Sequence, residues 1–293
     1  METATENPDP KSRLIRAKKI GLIGDIHGDL GHLFTVLRTF RHRDIDTIVQ
    51  LGDLGLVWPH AGWVRNLSKL KRTLARLDQT LYWLDGNHED HSRLTKWPVS
   101  PDGIRWIRDS IGHLPRGFRT TLSSGKSLAV LGGANSIDVN YRSPGTSWWP
   151  EESITEADLQ RLGNQPADIL LGHDAPLRVR ALDAQLNPMA WTRDEVGYAN
   201  AGRAMFHRGF LQVKPALSVS GHYHCHVNEA GTFRTPDGSF RSRIVVLDSN
   251  GSATKVSQAI LDVDSLELEF LTRNGVVLNP RIGGRQIRGA DHD

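Results

Sequence analysis

The chain has 293 residues, a formal net charge of +3 and a pI near 9.1, too mild and unclustered a basicity for a dedicated nucleic-acid binder. At 38% hydrophobic and 24% charged residues it has the composition of a soluble globular protein, long enough to bury a large core in one domain. No apolar run approaches the roughly 18 residues of a membrane span. The opening METATENPDPKSR lacks the apolar stretch of a secretory signal, so a cytoplasmic location is the default expectation.

In chain order, residues 1–17 are polar and Pro-containing and read as a flexible leader. Residues 18–24, KKIGLIG, form a short apolar run ending at Asp25. A helix is expected over 29–40. Residues 46–52, DTIVQLG, form a second run ending at Asp53, and a second helix is expected over 62–78. There Leu67, Leu70, Leu74 and Leu77 face inward, and Lys69, Lys71, Arg72 and Arg76 form the wet side. A third run, 81–86, ends at Asn87. Strand and helix alternate in the β-α-β-α-β manner of a parallel sheet.

From residue 104, IRWIR, FRTTL and KSLAVLGG are β-like. A short helix over 155–162 takes Thr155 as N-cap, run 167–172 ends at His173, a helix is expected over 192–207, and run 216–221 ends at His222. RIVVLD, SQAILDV and LELEFL follow, suggesting a second sheet packed on the first. The Gly- and Arg-rich residues 279–293 are expected to be mobile, leaving 18–278 as one domain.

Five of these runs end in metal-ligand residue types: Asp25-Ile26-His27, Gly52-Asp53, Gly86-Asn87-His88-Glu89, Gly172-His173 and Gly221-His222-Tyr223-His224. The carboxyl ends of strands are where α/β sheets usually hold ligands. The residue types suit hydrolysis of a phosphate ester, which brings an anionic nucleophile onto an anionic phosphorus. Two cations roughly 3.5 to 4 Å apart clamp both oxygens and lower the pKa of bound water to about 7. Mixed carboxylate and imidazole donors favour first-row transition metals over calcium or magnesium. A lone D-x-H or G-D is weak evidence; five in series, each after an apolar run, are not.

The ordered set resembles the calcineurin-like metallophosphoesterase family across most of the chain. That resemblance implies an α/β/β/α sandwich of two mixed sheets with helices on both outer faces. It assigns Asp25, His27 and His224 to one metal, Asn87, His173 and His222 to a second, and Asp53 to both. The ions would be Mn, Fe, Zn or Ni. A hydroxide bridging them would attack phosphorus, with His88 protonating the leaving oxygen as general acid. The substrate would be a phosphorylated small molecule or nucleotide, diester or monoester. Oligomeric state is not readable.

Protein Ser/Thr phosphatases of this family carry G-D-x-V-D-R-G, whereas this chain reads Gly52-Asp53-Leu54-Gly55-Leu56-Val57-Trp58. It lacks both the Asp that would orient the catalytic His and the Arg that would grip phosphate. A protein phosphatase is therefore the weaker alternative, and a non-catalytic scaffold weaker still, because the full donor set is present. Asp90 and Asp138 are weak candidates to orient His88. Residues 134–150, ANSIDVNYRSPGTSWWP, leave two readings open. Either Arg142 contacts phosphate from a rim loop while a Trp stacks on a base, or the Trp pair packs on the core and Arg142 is solvated; the second carries more weight. Cys225, the one cysteine, excludes an intrachain disulfide and reads as a buried structural thiol. His226 stays ambiguous, and His32, His42, His60, His91, His113 and His207 have no matching motif.

Overall fold

The structure, a computed structural model, describes residues 10–59, 61–251, 253–272, 275 and 277–278. Helix α1 (Pro10–Arg16) leads into β1 (Lys19–Ile23), α2 (Leu30–Arg41), β2 (Thr47–Gln50), α3 (Trp63–Leu77), β3 (Thr80–Trp83) and the single turn α4 (His91–Leu94). Four short strands follow, β4 (Arg105–Arg108), β5 (Ile111–His113), β6 (Arg119–Thr121) and β7 (Ser127–Leu131). Then come α5 (Glu156–Leu162), β8 (Ile169–Gly172), α6 (Arg180–Asp183), α7 (Arg193–Val213) and β9 (Leu217–Ser220). The chain closes with β10 (Val227–Thr235), β11 (Gly238–Val246), β12 (Gln258–Asp262), β13 (Leu268–Leu271) and β14 (Val277–Leu278).

These strands form two mixed sheets, one of eight in the order β14-β13-β12-β1-β2-β3-β5-β4 and one of six in the order β10-β11-β9-β8-β7-β6. Parallel pairing runs through β1, β2, β3 and β5 in the first and through β7, β8, β9 and β11 in the second. Antiparallel strands border both.

Side-chain alternation with period two sets the layers. Ile20 and Leu22 of β1, Leu128 and Val130 of β7, and Ile169 and Leu171 of β8 point into the core between the sheets. Ile23 of β1 and Ala129, Leu131 and Leu170 point the other way, under the helices. α2 and α3 cover the first sheet with Leu33, Val36, Phe40, Leu67, Leu70 and Leu74. On the second, α5 and α7 contribute Leu159, Leu162, Phe206, Phe210 and Val213. The fold is thus the expected α/β/β/α sandwich. Helix starts follow local chemistry: Asp29 caps α2 through the His32 N–H, and Thr155 and Thr192 open α5 and α7 with capping boxes to Asp158 and Glu195.

Three expectations need correction. The leader expected to be flexible over 1–17 is helical from Pro10, and Leu14 is fully buried in the core between the sheets. Residues 1–9 and the tail 279–293 lie outside the described residues. The helix expected over 192–207 runs on to Val213, since Phe206, Phe210 and Val213 continue one buried stripe. Gly209 hides this continuation, because glycine weakens helices; a Cβ there would press on Leu131, Leu159 and Leu162. The late strands also do not make up the second sheet, for β12, β13 and β14 join the first and only β10 and β11 join the second.

Because Leu14 is enclosed, Leu14→Ala is expected to destabilise the protein by about 2–5 kcal/mol, read as a lowered urea midpoint. A loose leader would leave the midpoint unchanged.

Candidate metal centre

Five strand ends converge where the carboxyl edges of the two sheets meet. From the first sheet, β1 delivers Asp25 and His27, β2 Asp53, and β3 Asn87 and His88; from the second, β8 delivers His173 and β9 His222 and His224. The turns are stitched together by backbone bonds, His27 N–H to the Asp53 carbonyl at 2.9 Å and Gly221 N–H to the His173 carbonyl at 3.1 Å.

Asp53 is central. Its Oδ1 lies 3.3 Å from His173 Nε2 and accepts the His88 backbone N–H at 2.7 Å. Its Oδ2 lies 3.9 Å from Nε2 of both His27 and His88. Asp25 Oδ2 is 3.1 Å from His224 Nε2 and 3.7 Å from His27 Nε2, and its Oδ1 accepts the His222 N–H at 3.0 Å. His27 and His224 bring their Nε2 atoms within 3.0 Å of each other. Asn87 Oδ1 lies 3.1 Å from His173 Nε2, and the His222 and His173 rings are 5.0 Å apart. All seven expected ligands and His88 therefore meet at one rim.

Asp25, Asp53, Asn87 and His173 form a buried floor, while His27, His88 and His224 reach partly into solvent. Three overlapping sets have donor atoms close enough to hold a cation: Asp25 with His27 and His224, Asp25 with Asp53 and His173, and His27 with Asp53 and His88.

The donors fit such an ion. Two carboxylates buried side by side are costly without compensating positive charge, and among the described residues Asp25 Oδ2 accepts no hydrogen bond. Burial pushes the Asp25 carboxyl up, but His224 and His27 outweigh it and hold it well below the usual range. Asp53 is likewise pushed up by burial and drawn lower by His173 and His88. Burial pushes His173 down, yet Asp53 and Asp25 raise it to about 10. Burial and the neighbouring His173 push His222 down to about 3.

The backbone pays for this convergence with strain. His27, Asp53, His222 and His224 all have positive φ, at 47°, 57°, 72° and 50°, a region unfavourable to side chains with a Cβ. Gly86 permits the closest approach, since a Cβ there would overlap the Asp53 carboxylate and press on the His173 ring.

The surroundings of His88 settle several open readings. Arg142 is not solvated: its side chain is 7% exposed, and its Nη1 and Nη2 lie 3.2 and 2.6 Å from the two ring nitrogens of His88. Asp138 holds that guanidinium at 2.7 and 3.0 Å, so it faces His88 only through Arg142. Asp90 caps α4 instead, accepting from Ser92 and the Arg93 N–H. Burial lowers the His88 pKa; Asp53 opposes this and Arg142 reinforces it. Trp149 is buried edge-on against Trp58, at 5.4 Å between ring centroids, and the Trp148 indole N–H bonds Glu152 at 3.0 Å. Trp58, half-buried, lies 6.1 Å from the His88 ring. In the sequence Trp58 stands out only as a departure from the G-D-x-V-D-R-G pattern. Its signal was the aromatic residue five positions after Asp53.

Other histidines have structural settings. His113 contacts Asp85 at 3.1 Å, beside the Arg116 guanidinium. His226 bonds the Val246 carbonyl at 3.0 Å. Cys225 is half-buried, and burial pushes its thiol up to about 11. His60 lies outside the described residues. His91 is buried just after the Asn87 turn, and burial pushes it down to about 4.

Fold and rim together define the class, an α/β two-sheet scaffold with a candidate metal site of carboxylates and imidazoles. The calcineurin-like phosphoesterase family model matches residues 18–226. The chain belongs to that family and is a hydrolase acting on phosphoric esters. Its fold is shared with the protein TT1561 of Thermus thermophilus, at 15% identity and a TM-score of 0.53, covering 87% of this chain and 99% of that one. A dimetal phosphatase from Danio rerio matches at 14% identity and a TM-score of 0.48, covering 87% of this chain and 96% of that one. No curated protein matches. Among the described residues, no helix is long and apolar enough to cross a membrane.

A histidine held neutral by burial stabilises the fold above its unfolded pKa. That stability is lost as pH falls from about 6.5 towards 4, where only the unfolded chain takes up the proton. For His91 the loss is on the order of 2 to 3 kcal/mol. Urea midpoints measured between these pH values should fall less steeply in His91→Gln than in the unaltered protein.

Proposed function

We propose that the protein hydrolyses phosphodiesters or phosphomonoesters of small molecules or nucleotides at a dinuclear centre of Mn, Fe, Zn or Ni. The observation that carries this reading is two buried carboxylates, Asp25 and Asp53, facing five imidazoles at one rim. Asp25, His27 and His224 would hold one ion, Asn87, His173 and His222 the other, with Asp53 between them. When bound, such ions neutralise phosphate charge and supply a nucleophile of hydroxide strength near neutral pH.

The remaining roles belong to the side chains. His88 is anchored through its backbone N–H to Asp53 and carries its ring on the solvent side, where an ester oxygen leaves. Its task is to donate the proton to that oxygen, which requires Arg142 to turn from the ring nitrogens to the phosphate. Arg142 supplies from residues 134–150 the phosphate grip absent after Asp53, and Asp138 aims it. Its place against His88 puts a planar, two-pronged donor beside the reacting atoms. Protein phosphatase activity is disfavoured because Trp58, not an arginine, is the nearby group of the Asp53 turn.

Asp53→Ala should abolish turnover and empty the site, as measured by elemental analysis after metal reconstitution. His88→Ala should keep its metal and lose about 10²- to 10⁴-fold in kcat; full turnover in that variant would reject the assigned acid. Arg142→Ala should lower kcat/KM on the order of 10- to 100-fold, the worth of a charged hydrogen bond. Bis- and mono-nitrophenyl phosphate should both outperform a phosphopeptide, and the reverse order would favour the protein phosphatase.

A further inference from the structure

Asn87 presents two chemically different ends, and only its carbonyl oxygen can bind a cation. Its amide nitrogen donates to Ser136 Oγ at 3.0 Å, while Oδ1 faces His173. A serine hydroxyl has one proton, and that of Ser136 goes to Glu152 Oε2 at 2.6 Å. Ser136 is thereby left with lone pairs for Asn87, so it accepts the amide N–H₂ and refuses the amide oxygen.

Glu152 is fixed in turn. It is fully buried at the end of a 3₁₀ turn, Pro150–Glu152. Its Oε1 accepts the Ser136 N–H at 2.8 Å, the Trp148 indole N–H at 3.0 Å and the Tyr198 hydroxyl at 2.9 Å. Ser136 and Asn87 are both buried, so no solvent competes for the relay. Among the described residues, the carboxylate reaches the rim only through Ser136 and Asn87 and is hydrogen-bonded to no expected metal ligand.

Resting on the dinuclear reading above, we propose that Glu152 and Ser136 are positioning residues that lock the Asn87 amide with its oxygen towards the second ion. Without the relay the amide is free to turn and offer N–H₂ where an acceptor is required. The SWWPEE segment, whose place in the chain shows no metal-binding motif, thus tunes the cation affinity of one half of the centre.

The test is titration of the metal-free protein with Mn²⁺ by calorimetry, beside thermal melting of the same metal-free samples. In Ser136→Ala one of two binding steps should weaken about 10- to 100-fold, the range expected when a group orienting a ligand is removed, with the other step unchanged. Ser136→Thr should restore the weakened step, and Glu152→Gln should weaken the same step. Metal-free Ser136→Ala should still melt in one cooperative transition, lowered by the few degrees expected when two buried polar groups lose their hydroxyl partner. Two unaltered steps in Ser136→Ala would overturn the relay and leave the dinuclear reading standing. Equal loss at both steps without rescue by threonine would mark Ser136 as merely structural and overturn it too. If the unaltered protein takes up no Mn²⁺, the dinuclear reading and the relay fall together.

Discussion

The structure depends on holding two anions out of water at the seam of two sheets. Asp25 and Asp53 are both about 1% exposed, and among the described residues neither is paired with an arginine or lysine. Their compensation there is imidazole and backbone N–H. Compare Asp85, equally buried, which burial pushes up but which the Arg116 guanidinium and His113 hold well below the usual carboxylate range. Asp85 has a permanent cation and is closed. Asp25 and Asp53 face groups that hold a proton or a metal interchangeably, which is what a site for exchangeable cations requires.

The same constraint explains the architecture. Groups from residue 25 to residue 224 meet only because parallel strands of both sheets end on one side. The core between the sheets fixes that alignment, and helices on each outer face keep the strands apolar on both sides. The donors thus ride on the most buried elements of the chain.

Much of this was legible beforehand, for a definite reason. A fully buried strand in a parallel sheet reads as an unbroken apolar run, so each run announced both a strand and the candidate ligand after it. The edges were less readable. β5 is three residues long, and β10, with the burial pattern of a strand open on one side, carries Asn228, Glu229 and Arg234. Sheet membership of β12 depends on register with β1, from Lys19 paired with Asp262 to Ile23 paired with Gln258, which no local pattern records. At the rim, residue types pointed to the candidate ligands but not to their neighbours. Arg142 and Glu152 come to the rim through the folding-back of residues 134–152, whereas linear spacing sets them far from His88 and Asn87.

Four rim residues hold left-handed backbone although none is a glycine. Glycine would relax each of these turns, so the chain carries a local penalty that thermal robustness alone would remove. Natural proteins seldom sit at their stability optimum, and catalytic groups are a common reason. On the proposed dinuclear reading, selection for heat tolerance without selection for turnover would be drawn to these four positions first, and the hydrolase would become sturdier as it fell silent.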